Sequence, residues 1–440
     1  MSSLYDARTA DGYLLHLLKA GTVRVGAKAL ISADNDLTIP SGKPVSPDEA
    51  NEWIGTTFKE PLDACLELDD KPNSDTLDRD FRALIEEEAD LYELDEFYQH
   101  QRRIRHLCHT SHIPEIMLQK LGVLRSALPR VYQRALFAAW FGTLIAYQRQ
   151  LSTADIEALF KAGLYHDLGL LHVPPELVGK SSGLTAEDWA SVQRHVIVGA
   201  RICGEFANAG ALVTKLVLQH HERADGSGYP SAASADELDP LSGVITLCDM
   251  AFSLRFPKVL LNSDSLSSLL PHFLVNRDSF GRDNGRTATA ILHAARQRKN
   301  DRSATERGNV ELKSINERLV AVCSGLDQLR VDLAGADSSV LGRSMLMLLE
   351  QIEWATLASG FGIAELVPWF ERGIDERGDP QALHDMRASA LEIFWLIHRG
   401  ARLGQSLMGT LSSAEANASL ERFLTRVDTH RQELAHILGV

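Results

Sequence analysis

Six side chains of the kinds that ligate metals follow one another through the middle of the chain. They are His166, Asp167, His195, His220, His221 and Asp249. Imidazole nitrogen combined with carboxylate oxygen suits divalent ions such as iron, manganese, zinc or nickel, and an aspartate can bridge two of them. A His-Asp doublet alone is weak support, but the ordered series predicts a metal site.

Two metal ions about 3.5 to 4 Å apart can convert a shared water to hydroxide and stabilise both the attacking and the leaving oxygen of a phosphoryl group. Phosphodiester hydrolysis is the natural use of such a site. Isolated histidines such as His172 and His272 are more often satisfied core or surface residues, so we assign them no role.

The paired histidines open the run "HHERADGSGYP", residues 220 to 230. Gly226 and Gly228 permit positive φ angles, so the loop can fold tightly over a site while Tyr229 presents its ring to a nucleobase and Pro230 restricts the exit. An ordinary helix-terminating loop with a packed tyrosine would explain the glycines. It would not explain two histidines immediately before them.

The elements that must position these residues are mainly helical. We predict a small β-containing region over 1–72, a connecting acidic helix over 73–112, a helical domain over 113–297, a polar linker over 298–309 and a helical bundle over 310–440. Within the helical domain, Thr185 and Asp188 have the spacing of a capping box. The uncharged run from Ala135 to Gln148 is too short to span a bilayer and predicts a buried core helix.

Composition narrows the range of partners. The formal net charge of −14 argues against binding to nucleic acid polymers or anionic membranes. The five cysteines form no CxxC pair, and the amino terminus has no basic segment followed by an apolar run, so we expect a cytoplasmic protein.

The "HD" at 166 and 167, the single His195, the run "HHERADGSGYP" and Asp249 together resemble the HD-GYP family, a branch of the HD superfamily of metal-dependent phosphohydrolases. The resemblance covers residues 113–297. It implies an all-helical domain that hydrolyses the bacterial second messenger cyclic di-GMP, to the linear dinucleotide or to GMP, at a centre of two or three metal ions. Iron or manganese is favoured, with zinc and nickel as alternatives.

The resemblance also implies roles for individual residues. One ion would be held by His166, Asp167 and Asp249, and a second by His195, His220 and His221, with Asp167 as the bridging catalytic ligand. Substrate would be bound by Gly228, Tyr229 against guanine, Pro230, Arg255 and Lys258. Glu222 and Asp225 would orient histidines or brace the loop, although solvent-exposed loop acids are an equal alternative.

Three positions depart from the family pattern. Leu170 stands where the family has a lysine near the scissile phosphate, and Arg134 falls where a helix upstream usually supplies a histidine ligand. Phe252 replaces a second aspartate after Asp249. We therefore expect no third metal, a weakened first site and an intact second site.

Two hypotheses about function remain open, and a third is less favoured. The first is a slow metal-dependent cyclic di-GMP phosphodiesterase. The second is a degenerate module that binds cyclic di-GMP or a signalling protein such as a diguanylate cyclase without turnover, and the third is a hydrolase of another nucleotide. The retained ligands favour the enzyme, and a homodimer is left open.

Overall fold

The structure is a computed structural model. It describes residues 7–60, 62–178, 185–206, 209–224, 226, 228–256, 266–296, 308–335, 340–359, 361–362 and 380–438. Helices account for most of these residues, and the strands are short and confined to the amino-terminal part. The prediction of a mainly α chain with a small β-containing region is confirmed.

The amino-terminal region begins with a helix and continues into two small antiparallel sheets. The strands are β1 (Val23–Val25), β2 (Leu30–Ile31), β3 (Thr38–Ile39), β4 (Pro44–Val45) and β5 (Leu66–Leu68). One sheet has the order β4-β1-β5, and β2 pairs with β3 in the other. Val23 lies opposite both Val45 and Leu68, and all three are buried because alternate strand residues face the core.

Twenty α-helices are described. They are α1 (Ala7–Ala20), α2 (Pro47–Asn51), α3 (Leu62–Cys65), α4 (Ser74–Glu86), α5 (Ala89–Tyr98), α6 (His100–Thr110), α7 (Glu115–Ala127), α8 (Pro129–Gln148), α9 (Thr153–Tyr165), α10 (Ala186–Gln193), α11 (His195–Arg201), α12 (Ala211–Gln219), α13 (Ser242–Arg255), α14 (Leu270–Val275), α15 (Arg282–Arg296), α16 (Gly308–Cys323), α17 (Leu326–Ala334), α18 (Val340–Ser359), α19 (Pro380–Leu407) and α20 (Ala414–Leu438). None of these described helices is long and apolar enough to cross a membrane.

The acidic segment contains three helices, so the prediction of one connecting helix over 73–112 was wrong. Asn73 caps α4 by accepting a hydrogen bond from the backbone of Thr76. Glu88 is extended, and Gln99 adopts a left-handed conformation with φ 49°, which separates α5 from α6. The basic run after Tyr98 forms α6 because Ile104 and its apolar neighbours provide a buried face.

Helix α8 forms the centre of the first core. Every residue from Ala135 to Ala146 is buried, as the uncharged run predicted. Each large side chain buried there, such as Trp140 or Phe141, stabilises the fold by about 1.5 to 3 kcal/mol. Helix α9 packs unusually close to α8, since a Cβ atom on Gly163 would lie 2.5 Å from the backbone of Ala139.

The chain divides into two compact units. The first comprises Met1–Glu222, Tyr229–Ser231 and Leu238–Phe252, and the second comprises Arg223–Gly228, Ala232–Glu237 and Ser253–Val440. This division falls inside the range 113–297 that we predicted as one domain. Residues around α14 belong with the carboxy-terminal helices because His272 and Asn276 both hydrogen-bond to the buried Glu392 of α19.

The carboxy-terminal helices share a continuous apolar core. The residues predicted from helical spacing are buried in it: Leu319, Val322, Leu326, Leu329, Met345, Leu348 and Ile352. Leu341 packs against this core while partly exposed. The predicted polar linker lies almost wholly outside the described residues, which resume at Gly308 with α16.

Candidate metal centre

The His-Asp doublet lies at the end of α9. Ser152 begins this helix by accepting a hydrogen bond from the backbone N–H of Asp155. His166 is the last residue with helical geometry, and at Asp167 the backbone turns to φ −100° and ψ 5° and enters a 3₁₀ segment, Leu168–His172. Both side chains are almost fully buried, so they face the interior of the first unit.

The remaining ligand types come from three other helices of the first unit. His195 begins α11, His220 and His221 follow the end of α12, and Asp249 lies within α13. The structure thus brings all six predicted metal ligands together. One ligand atom each of Asp167, His195, His220 and His221 lies within 4.8 Å of the others, and the same holds for His166, Asp167 and Asp249.

A glycine allows the two halves of the centre to approach each other. A Cβ atom on Gly169 would lie 1.9 Å from the backbone oxygen of His195 and 2.9 Å from the backbone nitrogen of Gly199. Because real Cβ atoms never come so close to backbone, the 3₁₀ segment can pack on α11 only with glycine at this position. This contact sets the separation between Asp167 and His195.

Three of the histidines have their ring orientation set by the backbone. Each donates its Nδ1 hydrogen to the carbonyl oxygen three residues earlier, at 2.7 to 2.8 Å: His166 to Gly163, His195 to Val192 and His220 to Val217. A carbonyl can only accept, so each ring carries a hydrogen on Nδ1, and the ring presents an Nε2 lone pair to the centre whenever it is neutral. This is the usual arrangement of metal-ligating histidines.

The Nε2 atoms of His195 and His220 lie 3.3 Å apart. Since both Nδ1 atoms are donors, two lone pairs face each other across this gap, an arrangement that a cation between them would relieve. Burial lowers the pKa of His195 and lowers that of His220 and His221 far below the ordinary value, so the rings are neutral. Metal ligation requires neutral imidazole. This second pocket therefore fits a divalent ion.

Asp167 joins the two pockets. Its Oδ1 atom lies 3.4 Å from His195 Nε2 and 3.9 Å from His220 Nε2, whereas its Oδ2 atom lies 3.3 Å from His166 Nε2. Burial alone would raise its pKa, but the guanidinium of Arg134 holds the pKa of Asp167 well below the usual range. The carboxylate is therefore ionised and offers one oxygen to each pocket.

The first pocket contains a guanidinium group. Nη1 of Arg134, on α8, lies 3.3 Å from Asp167 Oδ2 and 3.2 Å from Asp249 Oδ1. His166 Nε2 and Asp167 Oδ2 are buried without a hydrogen bond of acceptable geometry among the described residues. Burial lowers the pKa of Arg134, but the carboxylates of Asp167 and Asp249 more than offset it and raise that pKa. The ligand types suit a metal, but Arg134 occupies the space between the two carboxylates.

The other two departures are core residues. Leu170 is 7% exposed, so a lysine at this position would have to bury most of its side chain. Phe252 is 3% exposed, packs on Phe137 at 5.7 Å between ring centroids, and lies under the guanidinium of Arg130 at 4.8 Å.

The loop after the paired histidines packs back on them. The Tyr229 ring stacks on His221, with centroids 4.7 Å apart and planes 27° from parallel, and its backbone N–H donates to the carbonyl of His221. Glu222 is 3% exposed and accepts a hydrogen bond from the backbone N–H of Ser231 at 2.6 Å. Glu222 is therefore not a solvent-exposed acid but joins the two ends of the loop.

The other predicted substrate contacts are less closely defined. Pro230, exposed, follows Tyr229 through a cis peptide bond. Gly226 has the positive φ expected of it, at 69°, and Gly228 is half-buried. Arg255 ends α13 with its guanidinium 5.1 Å from the Phe256 ring. Asp225 and Lys258 lie outside the described residues.

Sequence reasoning missed one aromatic residue beside the centre. Trp189 of α10 is 47% exposed, and its ring meets the edge of Tyr229 at 6.4 Å between centroids. A lone tryptophan on a short helix carries no motif, so only the packing of α10 against the loop could identify it.

Comparison with known proteins agrees with this geometry. Residues 117–250 match the family model of the HD domain. Cyclic di-GMP phosphodiesterase PA4108 of Pseudomonas aeruginosa is 36% identical over 109 residues, which are 24% of this chain and 26% of that protein. This similarity supports the resemblance of the region to the HD-GYP family. The range matched to the HD domain includes Asp249 and thus all six predicted ligands.

Two further proteins are similar to parts of this chain. The 3'3'-cGAMP-specific phosphodiesterase 1 of Vibrio cholerae is 29% identical over 153 residues, 35% of each chain. The solved structure of Bd1817, a HDG"Y"P protein from Bdellovibrio bacteriovorus, is 14% identical and matches 63% of this chain and 98% of its own with a TM-score of 0.34. The match to the curated relatives spans about a quarter to a third of their length, so it concerns one region of those proteins alone.

Proposed function

We propose that the HD-GYP domain hydrolyses a phosphodiester bond of a cyclic dinucleotide with the help of a divalent metal ion, iron or manganese. The observation that carries this proposal is the pair of Nε2 lone pairs of His195 and His220, 3.3 Å apart and oriented by backbone hydrogen bonds. A purely structural core has no need for two facing acceptors. The proposed ligands of this ion are Asp167, His195, His220 and His221.

The residues of the centre have separate tasks in this proposal. A bound divalent ion would lower the pKa of a coordinated water and so supply a hydroxide nucleophile at neutral pH. Asp167 orients the ligand set, because its two oxygens face both pockets. Arg134 supplies a fixed positive charge next to the place where negative charge develops on the phosphoryl oxygens. Tyr229 braces His221 and, with Trp189, offers aromatic surface to a base.

Cyclic di-GMP is the proposed substrate, and 3'3'-cGAMP is the alternative that the relatives suggest. PA4108 and several other relatives carry cyclic di-GMP in their names, whereas three from Vibrio cholerae carry 3'3'-cGAMP. The two nucleotides differ in one base, so the choice depends on contacts to the base rather than on the metal.

The test is turnover of each cyclic dinucleotide by protein loaded anaerobically with iron, manganese or nickel. Wild type should convert one of them to a linear product, and His220→Ala should lose both the metal and the activity. His109→Ala is the matched control, because His109 is an exposed histidine of α6. Metal-loaded wild type that turns over neither nucleotide would contradict the enzymatic proposal.

A second candidate is a cyclic di-GMP receptor or protein-interaction module without turnover. Two observations favour it: Arg134 fills the first pocket, and Leu170 places a buried apolar side chain where the family has a lysine. Binding of cyclic di-GMP without hydrolysis, under conditions in which the metal is bound, would favour this candidate. A diguanylate cyclase or a second copy of the chain would then be partners to test by co-purification and by light scattering.

A cytoplasmic location suits either proposal, because a reducing compartment keeps the five cysteines as thiols. Burial raises the pKa of Cys108 and Cys203 to about 12, so these thiols are unreactive at neutral pH.

A further inference from the structure

The guanidinium of Arg134 lies where a metal ion of the first pocket would be expected. Its Nη1 atom is 3.2 and 3.3 Å from one carboxylate oxygen each of Asp249 and Asp167. These are the two acidic ligands of that pocket, and His166 is its third ligand type. A cation from the protein therefore already bridges the two carboxylates that would have to share the ion.

Arginine and a divalent ion cannot both use this pocket. A metal ion binds carboxylate oxygen at about 2.0 to 2.2 Å, so its ligands must close around it. The guanidinium remains protonated at any accessible pH, and its charge repels a divalent ion placed among the same oxygens. The Arg134 side chain is only 24% exposed, and those of Asp249 and Asp167 are 13% and 1% exposed, so solvent screens this repulsion weakly.

The second pocket has no such competitor in the part of the chain that is described. Asp167 Oδ1, the carboxylate oxygen that does not pair with Arg134, lies 3.4 Å from His195 Nε2 and 3.9 Å from His220 Nε2. Asp167 thus has a permanent cation at one oxygen and a set of neutral, metal-oriented imidazoles at the other. The charge pattern resembles that of two ions, but one of the two positive charges belongs to the protein.

We propose that Arg134 replaces the first metal ion. This HD-GYP domain then takes up one divalent ion, although it has two groups of metal-ligating side chains. This inference rests on the proposed metal site in the second pocket. It adds that the first pocket becomes a metal site only when the guanidinium is removed.

Metal content, rather than activity, tests the inference. Wild type, Arg134→His and Arg134→Gln are loaded anaerobically with Mn²⁺, freed of excess metal and measured by elemental analysis. Arg134→His supplies a neutral ligand and Arg134→Gln only removes the charge. Arg130→Gln is the matched control, because Arg130 is one turn earlier on α8 and packs over Phe252 instead of the carboxylates.

Wild type and Arg130→Gln should hold one ion per chain, and Arg134→His should hold two. Electron paramagnetic resonance should show an isolated Mn²⁺ signal in wild type and an exchange-coupled pair in Arg134→His. If Arg134→His does not fold, Arg134→Gln should show the additional ion at raised Mn²⁺ concentration. Circular dichroism establishes which variants are folded.

The outcomes separate this inference from the proposed function. Two ions in wild type, or no additional ion in any folded Arg134 variant, would overturn the inference. No ion in wild type would overturn the proposed metal site of the second pocket. In that case a gain of one ion in an Arg134 variant would still show that the guanidinium keeps metal out of the first pocket, because this part of the inference depends on the difference between variant and wild type.

Discussion

Replacement of Gly169 by alanine should separate the two halves of the metal centre. The added Cβ atom would lie 1.9 Å from the backbone oxygen of His195 and 2.7 Å from its carbonyl carbon. Ordinary contacts between such atoms are about 3.5 Å, so α11 and the 3₁₀ segment must move apart by about 1.5 Å. The obstacle is backbone on both sides, so no side-chain rotation can relieve it.

The magnitude follows from the packing. Forcing an extra methyl group into a closed core costs about 1 to 3 kcal/mol, and we expect the upper end here because only backbone can yield. For a unit of this size, a loss of about 3 kcal/mol lowers the melting temperature by about 6 to 12 °C. The distance between His195 Nε2 and Asp167 Oδ1, now 3.4 Å, would increase, and metal affinity should fall by about 10- to 100-fold.

Urea unfolding and metal titration of the variant provide the assay. Gly204→Ala is the control, because Gly204 is exposed and the nearest atoms to its added Cβ, in Thr214, are 3.8 and 3.9 Å away. That change should leave the unfolding free energy within about 1 kcal/mol of wild type. If Gly169→Ala matched Gly204→Ala in stability and in metal affinity, the proposed role of this contact would be refuted.

Three further predictions concern other parts of the first unit. Burial lowers the pKa of His100 to about 3, so protonation of this ring favours the unfolded chain. The free energy of unfolding measured in urea should therefore be unaffected by His100 above about pH 6.5 and should fall by about 2 kcal/mol by pH 5, whereas His100→Gln should not show this loss. Asp167→Asn should remove the bound metal in elemental analysis, whereas the exposed Asp48→Asn should not; metal retained by Asp167→Asn would contradict its place as a ligand. Tyr229→Ala should leave the metal content unchanged and weaken cyclic di-GMP binding in calorimetry by about 5- to 150-fold, since base stacking contributes about 1 to 3 kcal/mol. Unchanged affinity would mean that the ring only braces His221.

The helical character of the chain and its ligand series could be predicted from the sequence because both are local properties. Helical spacing identified the apolar faces of the carboxy-terminal helices, and the uncharged run identified α8 as a core helix. Ligand chemistry depends on residue type, so His166, Asp167 and the later histidines suggested a metal site without coordinates. The break at Gln99 was missed because a left-handed glutamine has no strong sequence signal.

Only the tertiary structure decided which of the two pockets contains the guanidinium of Arg134. Arg134 and Asp249 are 115 residues apart in the chain, and their contact exists because α8 and α13 bring both residues to the end of α9, beside Asp167. From the sequence, Arg134 was only a missing ligand with a repelling charge. In the structure, its guanidinium is a cation that pairs with the carboxylates of both Asp167 and Asp249. Long-range packing also decides that Tyr229 stacks on His221 and that the chain divides after Phe252, because neither follows from the spacing of residues along one helix.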